Sequence, residues 1–236
     1  MKHANKELLI EIGCEEIPAG WLPGLTAQFA SHLKSRLQEQ RLESSSLVET
    51  FSTPRRLTAY IEDLPDRQRD LKEIVTGPPI QAAFDSNGKA TKAAVGFAKK
   101  YAIHLEDLQR KETSKGVYLV HEHYEPGKRT IEVLANVVSA TLRDFSFPKQ
   151  MRWDAYLDDG KGELVFARPI RWMILLYGGQ VVPFIIHRND LAKGENIQAV
   201  RSGSKTYGHR FLTAKGKAGR PIKINTFKEY KTKLAE

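Results

Sequence analysis

Glu7-Leu8-Leu9-Ile10-Glu11-Ile12-Gly13 is the run on which the fold turns. Its aliphatic residues end in a β-branched isoleucine and stop at Gly13, which predicts a short strand, buried or half-buried. The strand delivers Cys14-Glu15-Glu16-Ile17-Pro18 to its mouth. Beyond Pro18, the residues Leu22, Leu25, Phe29, Leu33 and Leu37 recur at spacings of three or four, predicting a helix from about Ala19 to Gln40. Pro23 then falls in the first turn, where a missing N–H costs little. Ser44 to Ser46 break the pattern, and Leu47 to Phe51 and Leu57 to Ile61 read as strands around Thr53-Pro54-Arg55-Arg56. Strand, helix, strand, strand excludes an all-helical fold. The expected class is α+β, with mixed or antiparallel sheets, packed amphipathic helices and two subdomains.

Farther along, Gly77-Pro78-Pro79 reads as a rigid break and Asp85-Ser86-Asn87-Gly88 as a turn. Ala90 to Ala102 predicts a short packed helix, Leu105 to Arg110 a helical turn, and Val117 to His123 a strand. Ile131, Leu134, Val138, Leu142 and Phe145 predict an amphipathic helix after the turn at Pro126-Gly127. Met173 to Tyr177 and Val181 to Ile186 flank Gly178-Gly179-Gln180, which predicts a β-hairpin. Phe227, Tyr230 and Leu234 begin a helix that the chain cuts off, as a fragment would. The texture divides the chain into a neutral α+β domain over residues 1–147, a basic β-rich region over 148–225 and a truncated helix over 226–236.

Charge follows the same division. Residues 1–144 carry twenty Lys and Arg against twenty Asp and Glu, whereas residues 145–236 carry seventeen against eight. The whole formal excess of +9 therefore lies in the later part, as a polyanion-binding surface or a solubilising basic face would have it. The single cysteine, Cys14, excludes an internal disulfide, and no Cys/His cluster has zinc-ligand spacing, so no metal is expected. No run approaches the roughly 18 apolar residues of a membrane span, and the polar N-terminus lacks a signal-peptide pattern, so the expected compartment is the cytoplasm.

Several motifs occur in one order: Leu9 to Pro18, Thr53-Pro54-Arg55-Arg56-Leu57, Gly77-Pro78, Ala82-Ala83-Phe84, Gly96-Phe97-Ala98, Met151-Arg152-Trp153, Phe166 to Trp172 and Gly208-His209-Arg210-Phe211. Together they resemble the N-terminal region of the β subunit of the two-subunit glycine–tRNA ligase. Cys14 departs from the family's usual Thr, a small-for-small exchange. The resemblance implies a tRNA-handling subunit in a heterotetramer of two α and two β chains. The class II site that uses ATP and Mg²⁺ to activate glycine would lie on the α subunit, and this chain would be inactive in isolation. It implies the α subunit, tRNA(Gly) and a second β subunit as partners, and the family's later HD-like and anticodon-binding domains would be absent. The residues agree in one respect: there is no Gly-x-x-x-x-Gly-Lys-Ser/Thr loop and no Gly-x-Gly-x-x-Gly. No catalytic residue and no bound cofactor are expected here.

The candidate contacts for tRNA or a neighbouring subunit are Arg55, Arg56, Arg152, Arg168, Arg171, His209, Arg210, Lys215, Lys217 and Arg220. Arg55 and Arg56 follow Pro54, and adjacent strand residues face opposite sides, so one can enter a buried ion pair while the other faces phosphate or solvent. Arg168 and Arg171 can stack on Trp153 or Trp172, contact phosphate, or snorkel past buried indoles. His209 and Arg210 suit RNA or subunit contact better than catalysis, because no Ser or Cys with a fixed partner completes a triad. Lys215, Lys217, Arg220 and Lys223 read as a basic loop. Glu11, Glu15 and Glu16 admit acid/base or Mg²⁺ chemistry, but Glu15 and Glu16 are better placed to accept N–H groups at the start of the following helix. A stand-alone RNA-binding or assembly module and a hydrolase built on Glu15 and Glu16 are the competing functions.

Overall fold

A computed structural model describes residues 5–188, 199–209 and 219–235. In chain order the elements are β1 (Lys6–Cys14), α1 (Leu22–Glu39), β2 (Glu49–Thr53), β3 (Arg56–Leu64), β4 (Leu71–Pro79), α2 (Ile80–Ala83), α3 (Lys92–Lys100), β5 (Gln109–Thr113), β6 (Gly116–Glu125) and α4 (Thr130–Asp144). They continue as β7 (Ala155–Tyr156), β8 (Ile170–Tyr177), β9 (Gln180–Val181), β10 (Ile185–Arg188), β11 (Val200–Gly203), β12 (Lys205–Tyr207), β13 (Pro221–Lys223) and α5 (Phe227–Ala235). The α+β class is as expected.

The described chain forms two compact units, Arg69–Gly127 and the remainder on either side of it. The chain therefore divides at 68/69 and 127/128, not at the composition shift near residue 147. Strand pairing explains why: β8, from the basic region, lies antiparallel to β1, from the neutral one. In the larger unit the sheet order is β2-β3-β1-β8-β11-β10-β7, with β9 hairpinned onto β8 and the β8–β11 pair parallel. The predicted hairpin after Tyr177 is thus only two residues long on its return, and β10 pairs with β11 and β7 instead. Pro183, between β9 and β10, lacks the N–H that a continuing strand would need.

β1 is buried from Leu8 to Cys14, so the strand continues through Gly13 where the sequence suggested a stop. Its alternate residues enter different layers. Leu8, Ile10, Ile12 and Cys14 join Leu25, Phe29 and Leu33 of α1 and Leu134 and Val138 of α4 in the main core. Leu9 joins Ile174 and Leu176 of β8 with Ile224, Phe227 and Tyr230 in a second core on the opposite face. That second face is covered by α5 and by the β12–β13 ribbon. At the edge of the main core, Arg36 holds Asp144 at 2.6 Å and Arg143 holds Asp159 at 2.9 Å.

In the smaller unit β6 lies between β4 and β5, and Ala83, Ala94 and Leu119 form its core. Gly77-Pro78-Pro79 does not break the chain here, because β4 runs through it with a register shift between Thr76 and Pro79. Gly77 is required by packing: a Cβ there would fall 2.7 Å from the Phe97 ring of α3. The Asp85 turn forms as predicted, its carboxylate accepting the N–H groups of Asn87 and Lys89.

Candidate functional site

Glu11 is the exception within β1. It lies on the second face, fully buried, in a strand whose other buried residues are apolar or glycine. A buried carboxylate survives when its lone pairs are filled and its charge is met. Arg56 of β3 supplies the charge, its Nη1 3.3 Å from Glu11 Oε2. The Thr206 hydroxyl donates to Oε1 at 2.6 Å, the Trp172 indole N–H donates to the same oxygen, and the Tyr230 hydroxyl donates to Oε2. Tyr230 also meets the Thr58 hydroxyl at 2.8 Å, and the Arg56 guanidinium donates onward to the Tyr207 carbonyl. Burial first, and then the Glu11 charge, push the Tyr230 phenol well above its ordinary range, so it remains a donor.

Backbone register places these groups. Glu11 lies opposite Thr58 on β3 and Ile174 on β8, and Gly13 lies opposite Arg56 and Trp172. A Cβ at Gly13 would fall 1.9 Å from the Trp172 indole. The missing side chain is what lets the indole lie over β1 and aim its N–H at Glu11. Arg55 also lies over that indole, 5.5 Å from the ring centroid. Tyr207 meets it edge-on at 5.0 Å.

Beside this network opens a cleft of about 710 Å³. Phe51 to Arg56 form one wall, Phe227, Tyr230, Lys231 and Leu234 the other, and Glu16, Gly208 and His209 close an end. Three of the predicted residues, Arg55, Arg56 and His209, are thereby brought together. The prediction that one of the paired arginines enters a buried ion pair holds for Arg56.

The remaining candidates scatter. Arg168 donates to the Glu16 carbonyl at 3.0 Å, and Arg171 pairs with Glu15 at 2.7 Å. Neither arginine provides the indole stacking considered for it: Trp172 takes Arg55 and Trp153 takes Arg188. Glu15 and Glu16 do not cap the helix either. Pro18 and Trp21 occupy the cap positions without side-chain cap bonds, and no acidic residue lies in the first turn. Arg152 is exposed and meets Glu163 at 3.1 Å, while Arg220 is exposed just before β13. Arg210, Lys215 and Lys217 lie outside the described residues. Thr58, Thr206 and Tyr230 are members of the site that no motif marked. The available signal was Glu11 itself, a charge inside an apolar strand run. Among the described residues there is no cluster of three or more His, Cys, Asp or Glu able to hold a metal, and no helix long and apolar enough to cross a membrane.

Comparison with known proteins bears on residues 8–236, which match the family described as glycyl-tRNA synthetase beta subunit. A glycine–tRNA ligase beta subunit of Desulforamulus reducens is 41% identical over 208 residues, covering 88% of this chain and 27% of the relative. The corresponding protein of Desulforudis audaxviator is 37% identical over 230 residues, covering 98% and 30%. That of Syntrophus aciditrophicus is 38% identical over 208 residues, covering 88% and 28%. The chain thus spans less than a third of the length of these relatives.

Proposed function

The chain belongs to the glycyl-tRNA synthetase beta subunit family, and from that premise we propose that it serves as the tRNA-handling N-terminal part of a glycine–tRNA ligase whose catalytic site lies on an α subunit. In this reading it packs against the α chain, in a cytoplasmic heterotetramer of two α and two β chains. It helps place tRNA(Gly) for the ATP-dependent attachment of glycine, and has no turnover of its own.

The observation that carries the tRNA part is the basic layer over the second face of the sheet. Lys205 and Lys223 lie directly opposite each other across the β12–β13 ribbon, and α5 adds Lys228, Lys231 and Lys233 against Glu229. Like charges in direct cross-strand register repel, and a bound polyanion relieves that repulsion while releasing its counterions. The layer is fixed in place through Tyr230 and Thr206 by Glu11.

The test mixes the chain with a glycine-specific α subunit and labelled tRNA(Gly), following complex formation by sedimentation and tRNA binding by anisotropy across a salt series. The expected result is a complex with α, and tRNA affinity that falls steeply with salt. Lys205→Ala/Lys223→Ala should make the fall shallower by roughly one to two in log–log slope. RNA binding without any complex with α would favour a stand-alone RNA-binding module. Glycine activation by the isolated chain would overturn the assignment of chemistry to α.

A further inference from the structure

We propose that the cleft between the β2–β3 turn and α5 binds one nucleotide unit, its base on Phe51 and its phosphate between Arg55 and Lys231. Size argues for a compact ligand. At about 710 Å³ the cleft falls within the roughly 300–1,000 Å³ of small-molecule sites, whereas a docked protein helix needs a longer groove.

The walls specify its chemistry. Phe51 is 42% exposed although it sits on a strand, and its ring lies 5.7 Å from Phe227, which stacks on Tyr60 at 3.7 Å. This is a rigid aromatic floor with one ring left open to the cleft, suited to a flat base. Arg55 is held by the Trp172 indole and not by a carboxylate. Among the described residues its guanidinium has no acceptor, and its Nε is buried without a hydrogen bond. Lys231 on the facing wall is exposed, 5.2 Å from the Phe227 centroid, with no carboxylate partner among the described residues. Arg56 is neutralised by Glu11, and Glu16 is the one carboxylate among the lining residues. Two cations around an open aromatic ring match a ligand that is aromatic at one end and anionic at the other.

A free nucleotide and a single-stranded nucleotide of an RNA share that chemistry, and the RNA source rests on the tRNA-handling reading above. The experiment titrates the 236-residue chain with AMP, adenosine and inorganic phosphate by calorimetry, then repeats the AMP titration with tRNA(Gly) present. AMP is expected to bind more tightly than either of its parts. Phe51→Ala and Arg55→Gln, each shown by circular dichroism to be folded, are expected to weaken AMP roughly 5- to 100-fold. Competition by tRNA identifies the RNA source, and its absence a free-nucleotide site. No saturable AMP binding at millimolar concentration, or folded variants that bind as the parent does, overturns the site. The two readings separate cleanly: tRNA bound without AMP sinks the cleft site only, and AMP bound without tRNA sinks the tRNA-handling reading only.

Discussion

Leu8, Ile10, Ile12 and Cys14 enter the layer of α1 and α4, while Leu9, Glu11 and Gly13 face α5 and the β12–β13 ribbon, and all are buried apart from solvent. The first face is held by dispersion and the removal of apolar surface from water, which require only the right volume. The second contains a carboxylate with donors from Arg56, Trp172, Thr206 and Tyr230, which require particular atoms at particular distances. An apolar face tolerates substitution gradually. A filled polar network fails in steps, because each lost member leaves another group buried and unsatisfied.

Adjacent truncations on β1 put that contrast to a direct test by urea denaturation. Glu11→Ala leaves the Arg56 charge and three donors without their acceptor, and should cost about 3–5 kcal/mol. Its neighbour Ile12→Ala creates only a cavity, at about 2–5 kcal/mol, and Ile12→Val should cost about 1 kcal/mol. No comparably mild variant is expected at position 11: Glu11→Gln keeps the shape but loses the charge that meets Arg56. If Glu11→Gln were as well tolerated as Ile12→Val, the network would not be holding the second face.

Gly13→Ala comes next, at about 1–3 kcal/mol, since the added methyl must displace the Trp172 ring. Its distinctive readout is tryptophan fluorescence and near-ultraviolet dichroism, which should change in Gly13→Ala and not in Ile12→Val. An unchanged indole signal would place the ring elsewhere.

Smaller effects belong to the edge of the apolar face. Hydrogen bonds from Arg36 hold Asp144 below the ordinary carboxylate value of 3.8, and those from Arg143 hold Asp159 down to about 2. Each folded-state value is depressed, so the stabilisation is present above the unfolded value and is lost as pH falls through the folded one. The urea midpoint should therefore drop on acidification from about pH 4 to about pH 2, and by less in Asp159→Asn. Equal drops would remove Asp159 from the account. Smallest of all is the expected response at Cys14, whose thiol burial pushes up to about 12. Iodoacetamide at mild alkaline pH should leave it unmodified in the native chain and alkylate it in denaturant.

Much of this was legible beforehand. The three-and-four spacing of Leu25, Phe29, Leu33 and Leu37 identified α1 and its buried face, since helix periodicity is a local property. The Pro54-Arg55-Arg56 argument anticipated one buried arginine, because alternation across a strand needs no distant information. Gly77-Pro78-Pro79 misled because a glycine admitted for Phe97 looks, in sequence, like a glycine admitted for a turn. The division near residue 147 misled because composition reports solvent exposure, not strand pairing. Motif order identified the family from residues that turn out to build the site, among them Glu11, Gly13, Arg55, Arg56 and Trp172.

Element type, amphipathic faces, charge asymmetry and family membership were thus settled by the order of residues, since each depends on neighbours within a turn or two or on an ordered set of short motifs. The role of Glu11 was not. A strand buried on both faces reads as an unbroken apolar run, which cannot say what lies on either side. The partners of Glu11 are 45, 161, 195 and 219 residues away along the chain. Folding brings them within hydrogen-bond reach of one carboxylate, and no local pattern encodes separations of that length.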